Sequence, residues 1–210
     1  MPRRTPAPKP RPYTMRARQD TVEHTRLAIT EATMRLHERV GPRATTVSAV
    51  AEEANVTRLT VYRHFPSDEA LVVACSAHWR ELHPRPDPAA WAQIRDPVLR
   101  LRTALTETYQ WAVTASPMMT MIHRDVDVMP SFVGEYLIAD EKHRVAVLAV
   151  GYRARGRTAQ RLRAVLAHAL RLSTWQSLCI DGNLTGAEAA EVMVAAVLGA
   201  AGLTAESPNG

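Results

Sequence analysis

The chain has 210 residues, is 46% apolar and carries a formal net charge of +5. That apolar share excludes global disorder, and the length allows two small domains or one large one. The longest uncharged apolar run, residues 192–203, is too short to span a bilayer, and the basic N-terminus lacks the apolar stretch of a secretion signal. A cytoplasmic protein is expected.

The positive charge is unevenly placed. Residues 1–18 carry six basic and no acidic side chains, residues 19–84 seven arginines against nine acids, and residues 85–210 thirteen basic against twelve acidic. Prolines are dense in the first stretch and favour an extended, solvated, disordered arm. Such an arm is either an inert tail or a segment that follows phosphates or enters a minor groove.

Residues 20–40 read as a helix, with Val22, Ile29, Ala32, Thr33, Leu36 and Val40 within one broad face. Gly41-Pro42 stops it. Two short helices follow. Thr46 is a good N-cap, and Val47, Val50, Ala51 and Ala54 recur at helical spacing. Asn55 tolerates the left-handed conformation of a tight turn. Thr57 caps the next helix, with Val61 and Phe65 on one face and Arg58, Thr60, Tyr62, Arg63 and His64 on the other. Helix, tight turn, helix is a layout that lays its second helix in the DNA major groove. Arg58 can donate two parallel bonds to guanine, and Thr60 can bond a base or touch a thymine methyl. Tyr62, His64 and the free amides after Thr46 suit phosphate oxygens. With Thr46, Ser48, Thr57, Leu59 and Arg63 these residues are the candidate DNA contacts. Tyr62 and Phe65 can also be read as plain core aromatics.

The segments AEEANV, TRLTVYRHF and SDEAL resemble the DNA-binding module of the TetR family of bacterial repressors. That family runs an A-x-x-A-G-V turn into a T-x-x-x-[LV]-Y-x-H-F helix and a K-x-x-L start to the next. Three positions depart from it. Asn55 replaces the turn glycine, Asp68 stands where a phosphate-binding lysine is usual, and His37 occupies the place of a buried aromatic, where it reads as a satisfied core histidine.

Ser67 can cap a further helix through Ala70, Leu71, Ala74, Cys75, His78 and Trp79, ending near Pro84. Residues 83–90 form a proline-rich connector. Asp96-Pro97 starts a helix with Leu101, Ala104, Leu105, Thr108, Trp111 and Ala112 as its stripe, and Pro117 is expected to end it. Residues 118–130 hold four of the eight methionines, suited to an adaptable ligand surface or to ordinary core filling. His123, Asp125 and Asp127 have no defined ligand geometry there, so neither a metal nor a cofactor is expected. A helix over 132–150, a solvated loop over 151–157 and one long helix over 158–180 come next. Asp181-Gly182-Asn183 turns the chain, and Thr185 with Glu188 forms a capping box. Residues 192–203 are uncharged on every side, so one face should meet the domain and the other a second copy. Cys75 and Cys179 read as buried free thiols.

The fold class is therefore all-α. An arm at 1–18 precedes a three-helix helix-turn-helix domain at 19–66 and a connecting helix at 67–84. A helical ligand-binding and dimerisation domain spans 85–205, with a tail at 206–210. The resemblance implies a ligand-responsive regulator and not an enzyme, a repressor that binds a palindromic operator as a homodimer. Its partners would be double-stranded DNA, a small-molecule effector and a second copy, with no membrane. Trp111, Met118, Met121, His123, Tyr136 and Trp175 are the candidate pocket, and Leu162, Leu166, Ala169, Val194, Val197 and Ala201 the candidate dimer interface. The competing readings are an all-helical enzyme or carrier, or a protein adaptor, with an incidental helical hairpin. Against an enzyme, no nucleophile–base spacing and no phosphate-binding glycine loop is present.

Overall fold

The computed structural model describes residues 12–203, with side chains described from residue 19 onward. These residues form helices and no strand. They divide into two compact units. One comprises residues up to Leu36 together with Thr45–His78, and the other His37–Ala44 with the chain from Trp79 onward.

In the first unit, α1 (Pro12–Val40), α2 (Val47–Glu53), α3 (Arg58–His64) and the start of α4 (Asp68–Leu82) enclose a small core. Ile29, Leu36, Val50, Ala51, Val61, Phe65 and Leu71 fill it, each under 7% exposed. Burial of each valine, isoleucine, leucine or phenylalanine side chain among them contributes roughly 1.5–3 kcal/mol. The α1 stripe is narrower than the sequence suggests. Ile29, Ala32, Thr33 and Leu36 are buried, whereas Val22 and Val40 are 53% and 37% exposed. Helix α1 also starts earlier than expected. The extended arm over 1–18 is corrected to a helix from Pro12, the last proline before Pro42 and a residue whose fixed φ suits a first helical position. Residues 1–11 and the tail at 206–210 lie outside the described residues.

The second unit is built on α6 (Pro97–Arg124), α7 (Ser131–Ala149), α8 (Gly156–Ala169) and α10 (Gly186–Ala200). Its core joins Trp91, Leu101, Leu105, Tyr109, Leu148, Leu162, Leu166, Trp175, Met193 and Val197. Asp96 Oδ1 accepts from the Val98 and Leu99 amides at 2.8 Å, fixing the start of α6. Thr185 and Glu188 make the expected capping box on α10. The proline-rich connector holds a short helix, α5 (Pro88–Ala92), capped by Asp87, which carries the buried Trp91. The buried Arg100 donates to the carbonyls of Ile94 and Val150 at 2.7–2.9 Å, tying the start of α6 to the end of α7.

Two further helix boundaries differ from expectation. Pro117 does not end α6, which continues to Arg124. An interior proline costs about 3 kcal/mol, chiefly through a lost hydrogen bond. Pro117 and Val113, whose carbonyl loses its amide partner, both lie on the exposed side, where water can substitute. Ala115, Met118 and Met119 bury on the other side and hold the helix together. The single helix expected over 158–180 is broken at Leu170–Arg171. The Tyr109 hydroxyl donates to the Ala169 carbonyl at 2.9 Å, and Thr174 Oγ1 to that of His168 at 2.5 Å. These bonds take acceptors that a continuing helix would have used. Arg171 is extended, and the chain resumes as α9 (Leu172–Trp175) and a π-helical turn over Gln176–Asp181.

Candidate nucleic-acid interface and internal cavity

The turn between α2 and α3 is closed by its own backbone. Asn55 adopts φ +54°, its amide donates to the Glu52 carbonyl, and the Val56 amide donates to that of Ala51 at 2.9 Å. This paired pattern is the Schellman motif, and it places asparagine where glycine is commonest. Thr46 Oγ1 accepts from the Ala49 amide at 3.2 Å, and Thr57 Oγ1 from that of Thr60 at 3.1 Å. The two threonine hydroxyls of Thr57 and Thr60 also approach to 2.9 Å, so Thr60 is partly engaged in the cap.

Val61 and Phe65 anchor α3 at 1% exposure each. The far side carries Arg58, Leu59, Tyr62 and Arg63, all exposed, with Thr60 and His64 half-buried. Thr46, Ser48 and Thr57 are exposed beside them. Leu59 is 78% exposed, the most open large apolar side chain described. An apolar side chain at that place is of a type that can touch a thymine methyl. His64 is held below the usual histidine range by burial and by the neighbouring charges of Arg63 and Arg26.

Sequence reasoning missed Arg26. Its guanidinium lies 4.2 Å from the Phe65 ring centre, and its Nη1 donates to the His64 carbonyl at 2.7 Å. It thus satisfies the last turn of α3 and fixes where the helix ends. The signal available was its place three residues before Ile29, one turn away on the same side of α1. Asp68 and Glu69 open α4, where a helix N-terminus favours negative charge.

The second unit holds a partly open cavity of about 550 Å³, within the range of drug-sized ligand sites. Of the candidate pocket residues, Trp111, His123 and Trp175 line it. Met118, Met121 and Tyr136 do not. The uninterrupted α6 turns Met119, Thr120 and His123 toward the cavity and Met118 into the core at 4% exposure. Tyr136 is 47% exposed and faces Arg80. Among the polar lining residues missed from the sequence are Arg85, Asp140 and Arg144. The i,i+4 spacing of Asp140 and Arg144 was a readable sign of pairing.

At the end of α6, Asp125 is buried and accepts from Arg124 Nε at 2.7 Å and from the Arg43 amide at 3.0 Å. The Arg124 hydrogen bond and the charges of Arg124 and Arg43 hold its carboxyl down to about 2. Arg43 also grips Asp127 at 2.6 Å. Both carboxylates are committed to arginines. Gly41 has φ +87°, and a Cβ there would collide with the Arg124 guanidinium and the Asp125 carboxylate. His37 is buried at 5% exposure, and burial pushes it down to about 4 against the pull of Asp125.

The candidate dimer residues need correction. Leu162, Leu166, Ala169, Val194 and Val197 are at most 3% exposed within the single chain, because α8 and α10 turn these positions into their own core, where Ala201 also packs. The exposed apolar strip of α10 is instead Val192, Ala195, Ala196 and Gly199, one helical face apart. Among the described residues no helix is long and apolar enough to cross a membrane.

Residues 29–75 match the model of bacterial regulatory proteins, tetR family. No curated protein matches the chain. Several solved structures share its fold. A Clostridium perfringens protein described as a putative fatty acid metabolism regulator superposes with a TM-score of 0.60 at 17% identity, over 82% of this chain and 97% of that one. NalD, the secondary repressor of the MexAB-OprM multidrug efflux pump in Pseudomonas aeruginosa, gives 0.58 at 19% identity, over 90% and 100%. A linker-substituted mutant of HlyIIR gives 0.57 at 17% identity, again over 90% and 100%.

Proposed function

We propose that the chain, whose residues 29–75 match the model of bacterial regulatory proteins, tetR family, and whose all-helical fold is shared by the solved structures above, is a ligand-responsive transcriptional repressor, acting as a homodimer on a palindromic operator. The observation that carries this reading is α3. It is a capped helix pinned from behind by Val61, Phe65 and Arg26, which presents Arg58, Leu59, Tyr62 and Arg63 to solvent. Arg58 is the base reader, with Leu59 and Thr60 beside it, while Thr46, Ser48, Thr57, Tyr62, Arg63 and His64 serve the phosphates.

The exposed strip of α10 is the homodimer contact, since small side chains there allow two helices to approach closely. Two copies of α3 then address two half-sites related by a two-fold axis. The cavity of the second unit takes the effector. His123 lines it, and the adjacent Arg124 and Asp125 hold Arg43 and the Gly41 turn that lead into α2. A ligand that prefers a different position of the last α6 turn shifts the protein away from its operator-binding state.

The test is retention of genomic fragments by the purified chain, followed by sequencing. Recovery of a few fragments sharing an inverted repeat supports the reading. Retention without sequence preference, or none, contradicts it.

A further inference from the structure

The cavity holds more cationic groups than its own carboxylates balance, a point that rests on the effector reading just given. Arg85 Nη1 and Arg144 Nε reach the same oxygen of Asp140, Oδ2, at 2.7 and 2.8 Å. One carboxylate is thus shared by two guanidinium groups. Arg144 has a side chain only 4% exposed, and its Nη2 donates to the Pro86 carbonyl at 2.9 Å. Its Nη1 is buried without a hydrogen-bond partner, as are Arg85 Nε and the Thr108 hydroxyl. All three residues line the cavity.

The other charged lining groups do not restore the balance. Glu141 faces Arg171 at 3.6 Å, and Lys142 adds a further cation. Buried donors left unpaired are costly, and a surplus guanidinium charge in a partly dry site is more so. Burial and the charge of Arg144 already push the Arg85 guanidinium below the ordinary arginine range. Much of the remaining wall is apolar, with Trp111, Ile138 and Trp175 prominent.

We propose that this cavity takes an amphipathic carboxylate, its head bound by Arg85 and Arg144 with Thr108 in reach, and its apolar body against Trp111, Ile138 and Trp175. The guanidinium fork matches a carboxylate in geometry and charge. An anionic head beside them adds the negative charge that the single Asp140 carboxylate, shared by both guanidinium groups, does not supply. The apolar walls gain from covering a chain or ring. A free inorganic anion would satisfy the first requirement but not the second.

The experiment compares decanoate, decanamide and acetate binding to the full chain at pH 7, read by tryptophan fluorescence from the cavity. Decanoate should bind at least about tenfold tighter than decanamide, and acetate should not compete at the same concentration. Arg144→Gln should erase most of the preference. Arg85→Gln, a less buried change, should do the same if the first variant fails to fold. Equal affinity for decanoate and decanamide overturns the inference, as does binding of neither. Acetate as effective as decanoate overturns the amphipathic part. The regulator reading is scored apart, by release of retained genomic fragments. Release by decanamide with no carboxylate preference would keep that reading and overturn this one.

Discussion

His37 makes the stability of the fold sensitive to mild acid. It is buried at 5% exposure, and desolvation lowers its pKa from 6.5 to about 4 while Asp125 pulls weakly the other way. Between those two values the unfolded chain binds a proton that the folded chain refuses, so stability rises with pH. The contribution is fully present above pH 6.5 and is lost as pH falls toward 4. Linkage over this shift gives a loss of about 2 kcal/mol between pH 7 and pH 5, and about 3 kcal/mol by pH 4. The carboxyl of Asp125, held down to about 2, loses its arginine bonds only in stronger acid and stays outside this window. His64 is displaced in the same direction as His37. Urea unfolding at pH 7, 6 and 5 should therefore show a steep decline for the wild type. His37→Phe and His37→Leu should each remove most of it, whatever their absolute stability. Declines of equal steepness in wild type and both variants would refute the argument.

Four other outcomes are expected. Ala196→Glu on the exposed strip of α10 should yield monomers by sedimentation and abolish operator binding, because it places an unpaired charge in the proposed contact; an intact dimer would move the interface elsewhere. Gly41→Ala should lower the melting temperature, since alanine costs about 1–2 kcal/mol in the left-handed region and its Cβ meets Arg124 and Asp125; an unchanged midpoint would contradict that packing. Deleting residues 1–11 removes Arg3, Arg4, Lys9 and Arg11, and each phosphate no longer neutralised should make the log–log salt slope shallower by about 0.9; superimposable slopes would mean that the arm touches no DNA. Tyr62→Phe should weaken binding to operator and random duplex alike in a filter-binding assay, as phosphate contacts carry no code; a loss confined to the operator would make Tyr62 a base reader.

The helix-turn-helix module was legible because its signals are local. Thr46, Asn55, Thr57 and Ser67 each act on backbone groups within three residues, and each takes the part that its chemistry suggests. The capping box at Thr185 was readable for the same reason. What the sequence hid depends on distant partners. Pro117 survives inside α6 because its flanking residues bury, which no rule about proline alone reveals. The break after Ala169 depends on Tyr109, sixty residues earlier in the chain. The cavity charges were missed because Arg85 and Asp140 meet only in three dimensions. The burial of the candidate dimer residues in their own core was hidden for a related reason. An all-apolar helix does not announce which of its faces its own domain takes, and α8 with α6 claim Val194 and Val197.

The central claim is that α3 reads base sequence through Arg58. The most direct measurement is the affinity of wild type and Arg58→Ala for the selected operator and for random duplex at one salt concentration. Arg58→Ala should lose about 1–3 kcal/mol per half-site on the operator, with little change on random DNA, so that discrimination collapses. Equal losses on both, or undiminished discrimination, would contradict it.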